Sequence, residues 1–323
     1  MKINLHTINA ENFEKTAIDV FKYQAKNNII YKTYLEKLNI DITTIKKLKD
    51  IPFLPISFFK THKVFHHHKK EKIVFTSSGT TDLSTSKHYV SDISIYEQAF
   101  KNGFELEFGS ISDYCILALL PSYLEREGSS LIYMSEKLIE WSQHPQSGFY
   151  LNNYQELITV LSTLEKTKQK TILLGVSYAL LDLVELQKFQ FKYISVMETG
   201  GMKGQRKEMI KKEFYKQLQN GFGINNIASE YGMTELLSQA YSKNGGHYYT
   251  PPWMKVLIRD VNDPFCILEN GKSGGLNIID LANIDSCSFI ATQDLGKFNS
   301  DGSFSVLGRF DNSDIRGCNL MVN

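Results

Sequence analysis

Residues 75–87 read Phe-Thr-Ser-Ser-Gly-Thr-Thr-Asp-Leu-Ser-Thr-Ser-Lys, residue types that suit a grip on phosphate. A strand-like run over 72–75 gives way to Thr76, Ser77, Ser78, Gly79, Thr80 and Thr81, and Lys87 stands just beyond. Hydroxyls and backbone N–H groups gathered in one loop can cradle a polyphosphate, and a nearby lysine adds a point charge. The loop is not a Walker A sequence, because the Gly-Lys-Ser/Thr ending is missing. Taken alone, a Ser/Thr/Gly cluster after a strand is equally an ordinary surface loop. Its company along the chain gives it weight.

That company is Ser-Glu-Tyr-Gly-Met-Thr-Glu at 229–235, Thr-Gln-Asp-Leu-Gly at 292–296 and Leu-Gly-Arg-Phe-Asp at 307–311. The order resembles that of the adenylate-forming superfamily, whose members activate acyl and aryl acids: phosphate loop, Tyr-Gly-x-Thr-Glu, Asp-Leu-Gly, Gly-Arg-x-Asp. Within it the chain is most similar to the acyl-protein synthetases of bacterial luminescence (LuxE-type). Three further stretches carry that resemblance: Leu-Pro-Ser-Tyr-Leu-Glu-Arg-Glu-Gly-Ser-Ser-Leu at 120–131, Glu-Thr-Gly-Gly-Met-Lys-Gly at 198–204 and Ser-Asp-Ile-Arg-Gly-Cys-Asn-Leu-Met at 313–321.

The resemblance implies ATP and Mg2+ as cofactors and a carboxylic, most naturally fatty, acid as substrate. It makes Thr76, Ser77, Ser78, Gly79, Thr80 and Thr81 the triphosphate grip, with Lys87 as its cation. Thr234 would contact the α-phosphate and Glu235 would be the magnesium ligand. The ring of Tyr231, followed by Gly232, would lie against adenine, and Asp294 with Arg309 would hold the ribose hydroxyls. Gly200 and Gly201 would form the loop beside adenine and acyl group, where glycine lets the backbone come close. Cys318 would take the acyl group from the adenylate and pass it to a partner such as an acyl reductase or carrier protein. A thiol beside Arg316 is suited to that step, since a neighbouring cation lowers a cysteine pKa. Cys287 is the second candidate and reads as a strand residue.

Other readings of the same residues stay open. Asp82 stands where the family has glycine, and a carboxylate beside a triphosphate repels it. Thr234-Glu235 ahead of Leu236-Leu237 also fits a helix start, and Asp294 ahead of Leu295-Gly296 fits a β-turn. The superfamily's C-terminal lid and its lysine would begin near residues 308–311, whereas the given sequence runs only to Asn323. Lys87, Lys203 or Arg316 would then have to stabilise developing charge. An acyltransferase working without ATP through Ser78 or Cys318 is an alternative, although the chain has no Gly-x-Ser-x-Gly elbow. A catalytically inactive acyl- or nucleotide-binding scaffold is another.

The elements that must position these residues follow from pattern. Apolar positions at helical spacing (Phe13, Ala17, Val20, Phe21, then Tyr31, Tyr34, Leu35, Leu38) make residues 1–70 a helical segment that packs on the core. Pro52 and Pro55 impose an extended link. His66-His67-His68 reads as a solvated turn. Strands are expected at 73–75, 115–120, 171–175 and 193–199, with helices at 93–104, 129–141, 154–166, 177–187 and 206–218. This alternation predicts an α/β fold, layered sheets with flanking helices like the large domain of adenylate-forming enzymes, with residues 71–245 as the nucleotide- and acyl-binding core. Leu120-Pro121-Ser122-Tyr123 and Gly175-Val176-Ser177, at strand ends, are the candidate acyl pocket. Gly and Pro pairs punctuate short β runs over 246–323, which predicts a smaller β-rich subdomain ending in a flexible tail.

Bulk properties exclude other classes. With 323 residues the chain can bury a large core, and a net charge of +1 gives no electrostatic footprint for nucleic acid. Its 4 cysteines are widely spaced, with no zinc pattern. The start lacks an apolar signal segment and no run is long enough to span a membrane, so a cytoplasmic protein is expected.

Overall fold

The computed structural model describes residues 1–77, 85–120, 128–151, 153–200, 206, 209–269 and 271–310. Helices α1 (Phe13–Asn27) and α2 (Ile29–Lys37) lead into β1 (Leu54–Pro55), the short α3 (Phe58–Thr61) and the hairpin β2 (Ile73–Thr76) and β3 (Lys87–Val90). Alternation then begins: α4 (Ile93–Phe108), β4 (Cys115–Leu119), α5 (Ser130–Ser142), β5 (Gly148–Phe149), α6 (Tyr154–Lys166), β6 (Thr171–Val176), α7 (Ser177–Leu186), β7 (Ile194–Thr199), α8 (Lys211–Phe222), β8 (Ala228–Tyr231) and β9 (Ala240–Ser242). The last described elements are β10 (Met254–Arg259), β11 (Ser273–Asp280), β12 (Phe289–Phe298) and β13 (Phe304–Arg309).

Two sheets organise the layers. One runs β5-β4-β6-β7-β8-β9, parallel except for β9, which pairs antiparallel with β8. Its central strands β4 and β6 are buried along their whole length, as strands covered on both faces must be. Helices cover them closely: a Cβ on Gly221 of α8 would lie 2.4 Å from Val184 of α7, so only glycine permits that approach. The second sheet runs β1-β12-β11-β10 with β13 on the other side of β12 along its outer half. Its strands are antiparallel apart from β1, which joins β12 in parallel from the far end of the chain.

The fold is therefore the layered α/β arrangement expected. Boundaries differ where side chains find unforeseen partners. α4 continues to Phe108 and stops at Gly109, whose φ of 89° suits glycine. α8 starts at Lys211 instead of 206, and Arg206 forms ion pairs with Asp182 and Glu185 of α7. His66 is buried against the Tyr23 ring at 5.4 Å, so only His67 and His68 form the solvated part of that turn. Among the described residues no helix is long and apolar enough to cross a membrane.

Candidate active site

The hairpin β2–β3 closes the base of the candidate phosphate loop. Thr76 pairs with Lys87, and beyond them Ser77 N–H donates to Ser86 O at 3.1 Å while Ser86 N–H donates to Ser77 Oγ at 2.9 Å. On β3, exposed Lys87 alternates with buried His88. His88 Nδ1 donates to the carbonyl of Thr234 at 2.8 Å, and since a carbonyl only accepts, that nitrogen carries the proton. Burial draws the His88 pKa down to about 4, against the bonds to Thr234 and Asn283. A neutral buried imidazole thus bolts the loop's base to the segment that carries Thr234 and Glu235.

That segment is a turn after β8, not a helix, so the capping reading of Thr234-Glu235 falls. Glu235 is 6% exposed, and burial raises its pKa, opposed by a hydrogen bond from Ser86 and the attraction of Arg309 and Lys60. Behind it, Asp280 accepts hydrogen bonds from Leu237 N–H (2.8 Å), Ser238 N–H (2.9 Å) and Ser238 Oγ (2.6 Å), and Asn283 Nδ2 donates to Glu235 O at 2.8 Å. A carboxylate held rigidly beside the loop is an oxygen donor of the kind Mg2+ prefers. Such sites commonly use one or two carboxylates, with substrate phosphates and water completing the octahedron. Among the described residues no group of three His, Cys, Asp or Glu is arranged for a metal. The residues present fit a magnesium ion carried in with ATP, and Glu235 would hold it.

Asp294 lies within β12, not in a turn, directly across from Arg309 on β13. Its Oδ2 accepts from Tyr231 Oη at 2.8 Å, and Arg309 Nε stands 3.5 Å from Oδ1. The Arg309 side chain is 69% exposed, so it is free to meet a ligand. Burial raises the Asp294 pKa, while Tyr231, Arg309 and Arg259 favour the carboxylate. Tyr231 is 8% exposed, its ring packed by Phe304 at 5.5 Å and Tyr248 at 5.7 Å. In this arrangement it aims Asp294. Asp294→Ala should remain folded and bind ATP about 1.5–3 kcal/mol more weakly, the range for hydrogen bonds to charged groups. Titration calorimetry showing wild-type affinity in the variant would remove the ribose assignment.

Gly200 follows β7 with φ of 68°, a left-handed conformation that glycine adopts without strain, and its carbonyl accepts from Ser177 Oγ at 3.1 Å. Thr199 pairs with Glu230 in the β7–β8 register, and its hydroxyl donates to Glu230 Oε2. Burial pushes Glu230 up to about 7, with Glu198 adding repulsion. Gly232 is needed beside it, because a Cβ there would lie 2.3 Å from Glu230 Oε1.

The structure brings together Ser77, Thr234, Glu235, Tyr231, Asp294 and Arg309 through β3, β8, β12 and β13, while exposed Lys87 of β3 alternates with its neighbours Ser86 and His88, which meet Glu235 and Thr234. Ser78, Gly79, Thr80, Thr81, Asp82, Gly201, Lys203, Arg316 and Cys318 lie outside the described residues, as do Pro121, Ser122 and Tyr123 of the expected acyl pocket. Cys287 precedes β12 and does not belong to it. It is fully buried, donates to Phe289 O at 3.4 Å, and burial pushes its thiol up to about 12, so it is an inert core residue. The candidate residues carried by the motifs do not include His88, Asp280, Glu198, Glu230 and Lys211. Two of these, Glu198 and Glu230, sit inside quoted motifs, where an acidic residue at a strand end was the available signal.

A family model described as acyl-protein synthetase, LuxE, matches residues 146–323, more than half of the chain. No curated protein matches the sequence. Among solved structures, a 2-hydroxyisobutyryl-CoA ligase in complex with 2-HIB-AMP and CoA superposes with a TM-score of 0.69 at 12% identity, covering 92% of this chain and 69% of that one. ATP-bound MatB from Rhodopseudomonas palustris gives 0.56 at 14% identity, covering 73% of this chain and 47% of MatB. O-succinylbenzoate coenzyme A synthetase (MenE) from Bacillus subtilis, in complex with AMP, gives 0.51 at 18%, covering 76% and 50%. At these identities the likeness speaks for the fold, which is that of adenylate-forming enzymes. The chain spans about half the length of the last two.

Proposed function

The chain belongs to the LuxE acyl-protein synthetase family, and from that premise we propose that it activates a carboxylic acid with ATP and hands the acyl group to a thiol. The resemblance favours a fatty acid. The acid's carboxylate oxygen attacks the α-phosphorus, pyrophosphate leaves, and an acyl-adenylate forms. A thiolate then attacks the acyl carbonyl, expelling AMP, and the thiol proton passes to solvent. Mg2+, when bound, would neutralise phosphate charge; Glu235 would orient it, while Thr234 and Lys87 would face the phosphates. Asp294 and Arg309 would fix the ribose. The observation that carries this reading is the convergence of the loop base at Ser86 with Glu235, and of Tyr231 with Asp294 and Arg309.

Cys318 is proposed as the first acceptor, with a partner acyl reductase or carrier protein receiving the group afterwards. Two of the other three cysteines are poor acceptors: Cys115 and Cys287 are buried with thiols pushed up to about 11 and about 12. Exposed Cys266 serves as the control. ATP–pyrophosphate exchange across a panel of carboxylic acids should find at least one active acid. Cys318→Ser should keep that exchange yet lose hydroxylamine-sensitive label from radioactive acid, because a hydroxyl is a far weaker nucleophile than a thiolate. Cys266→Ser should label normally. Exchange with no acid would sink the adenylation reading. Normal labelling of Cys318→Ser would move the acceptor elsewhere.

A further inference from the structure

A buried polar chain lies beneath the candidate nucleotide site and plays no part in the steps above. Glu198, near the end of β7, accepts from Tyr215 Oη at 3.1 Å and from Ser177 Oγ at 3.3 Å. Ser177 also reaches the carbonyl of Gly200. Lys211, the first residue of α8, donates to Tyr248 Oη at 3.0 Å, with its ammonium 4.9 Å from the Tyr248 ring and 5.5 Å from the Tyr215 ring. It presses on Gly246, where a Cβ would lie 3.2 Å from Nζ. Tyr248 packs on Tyr231, whose hydroxyl holds Asp294.

We propose that Lys211 and Glu198 are positioning residues for the nucleotide site, tying the Gly200 turn on one wall to the Tyr231–Asp294 arm on the other. The inference rests on the ATP reading above. Its physical basis is that a buried charge is tolerated only when compensated. Lys211 is the cation attracted to Glu198, and its contacts run through two aromatic rings that each belong to one wall. Without its charge, Glu198 has no cation to offset its burial and Tyr248 loses its donor. Ser177 and Tyr231 would then be held less firmly.

The groups facing Lys211 are Glu198 from β7, Tyr215 from its own helix and Tyr248 from the segment between β9 and β10. Glu230 on β8 is close enough to Glu198 for the two carboxyls to repel. Burial lowers the Lys211 pKa and Glu198 opposes that shift. The lysine charge is therefore lost as pH rises through a pKa below the usual lysine range.

The test is binding of adenosine and ATP to the full chain from about pH 7 to about pH 10. Lys211→Met should weaken both ligands by about tenfold or more, by the same factor, because misplacement affects the whole nucleoside. A loss confined to ATP would mean that the lysine acts as a distant charge on phosphate, and would overturn the positioning role. Wild-type affinity for adenosine should fall as pH rises, and folded Lys211→Met should be flat. Glu198→Gln covers the case in which Lys211→Met fails to fold. It keeps a side chain able to bond Tyr215 and Ser177 but removes the counter-charge, so the pH midpoint should move lower. An unmoved midpoint, or a flat wild-type profile, overturns the inference. Wild type that binds neither ligand overturns the ATP reading and this inference with it, whereas normal wild-type binding with an unchanged Lys211→Met defeats this inference alone.

Discussion

Glu235→Gln is expected to lose ATP–pyrophosphate exchange by about 10²–10³-fold, the scale of removing one electrostatic stabiliser from an active site, while its melting temperature holds or rises. The two halves come from one observation. Burial raises the Glu235 pKa, so the ionised carboxylate costs the folded state free energy at neutral pH. A carboxyl with a raised folded pKa stabilises the protein only as pH falls toward that pKa and protonates it. The neutral amide escapes this cost, keeps the shape, and still accepts from Ser86. A residue kept at the expense of stability points to function, and the proposed Mg2+ is a partner that would need its charge. Exchange assays in Mg2+ and a thermal melt decide the matter. An active Glu235→Gln enzyme would refute the ligand role, and an inactive one that has also lost several degrees would assign Glu235 to structure.

Asp280→Ala should destabilise the protein by about 3–5 kcal/mol, at the upper end of single substitutions, because it strands several buried donors at once. Asp280 is fully buried at the end of β11 and accepts from Leu237 and Ser238 N–H, from Ser238 Oγ, and from Ala282 N–H at 3.1 Å. Ser238 Oγ in turn accepts from Trp253 Nε1 at 3.0 Å, which makes indole fluorescence a local reporter. Urea unfolding should show Asp280→Asn losing less, since an amide oxygen still accepts. The Ala variant should also lose exchange activity, because the stranded residues directly follow Glu235. A loss below about 1 kcal/mol, the ordinary size of a point substitution, would show that water replaces the carboxylate and that the turn is held by other means.

What the sequence disclosed and what it withheld divide along locality. The β–α alternation was legible because hydrophobic period is a local property, and Tyr231, Asp294 and Arg309, from three short motifs, stand together in the structure. Asp294 could be taken for a turn residue only because Leu-Gly after it resembles turn chemistry; the β12–β13 register supplies the contrary fact. The helix start read at Thr234-Glu235 failed for the opposite reason: Leu237 and Ser238 N–H donate to Asp280, 43 and 42 residues on, which holds them in a turn that local propensity would have made helical. His88 was invisible because its partner, the Thr234 carbonyl, is 146 residues away. Lys211 carries no local signal, and only the tertiary position of Tyr248 and Glu198 makes it a half-buried cation beside a buried carboxylate.

The parallel pairing of β1 with β12 bears on how the chain is made. Leu54 and Pro55 pair with Ile290 and Ala291. Gln24 donates to the carbonyls of Asn283 and Ile284, and Asn28 to that of Ser286. On a ribosome, the first helices emerge long before these partners exist. At about 5–20 residues per second they wait tens of seconds with Phe21 and Tyr31 uncovered. The middle sheet, made of nearer neighbours, can assemble during that interval, and the N-terminal segment then docks last onto β12 although it is synthesised first. Nascent chains stalled before residue 283 should therefore show protease-sensitive N-terminal helices beside a resistant centre.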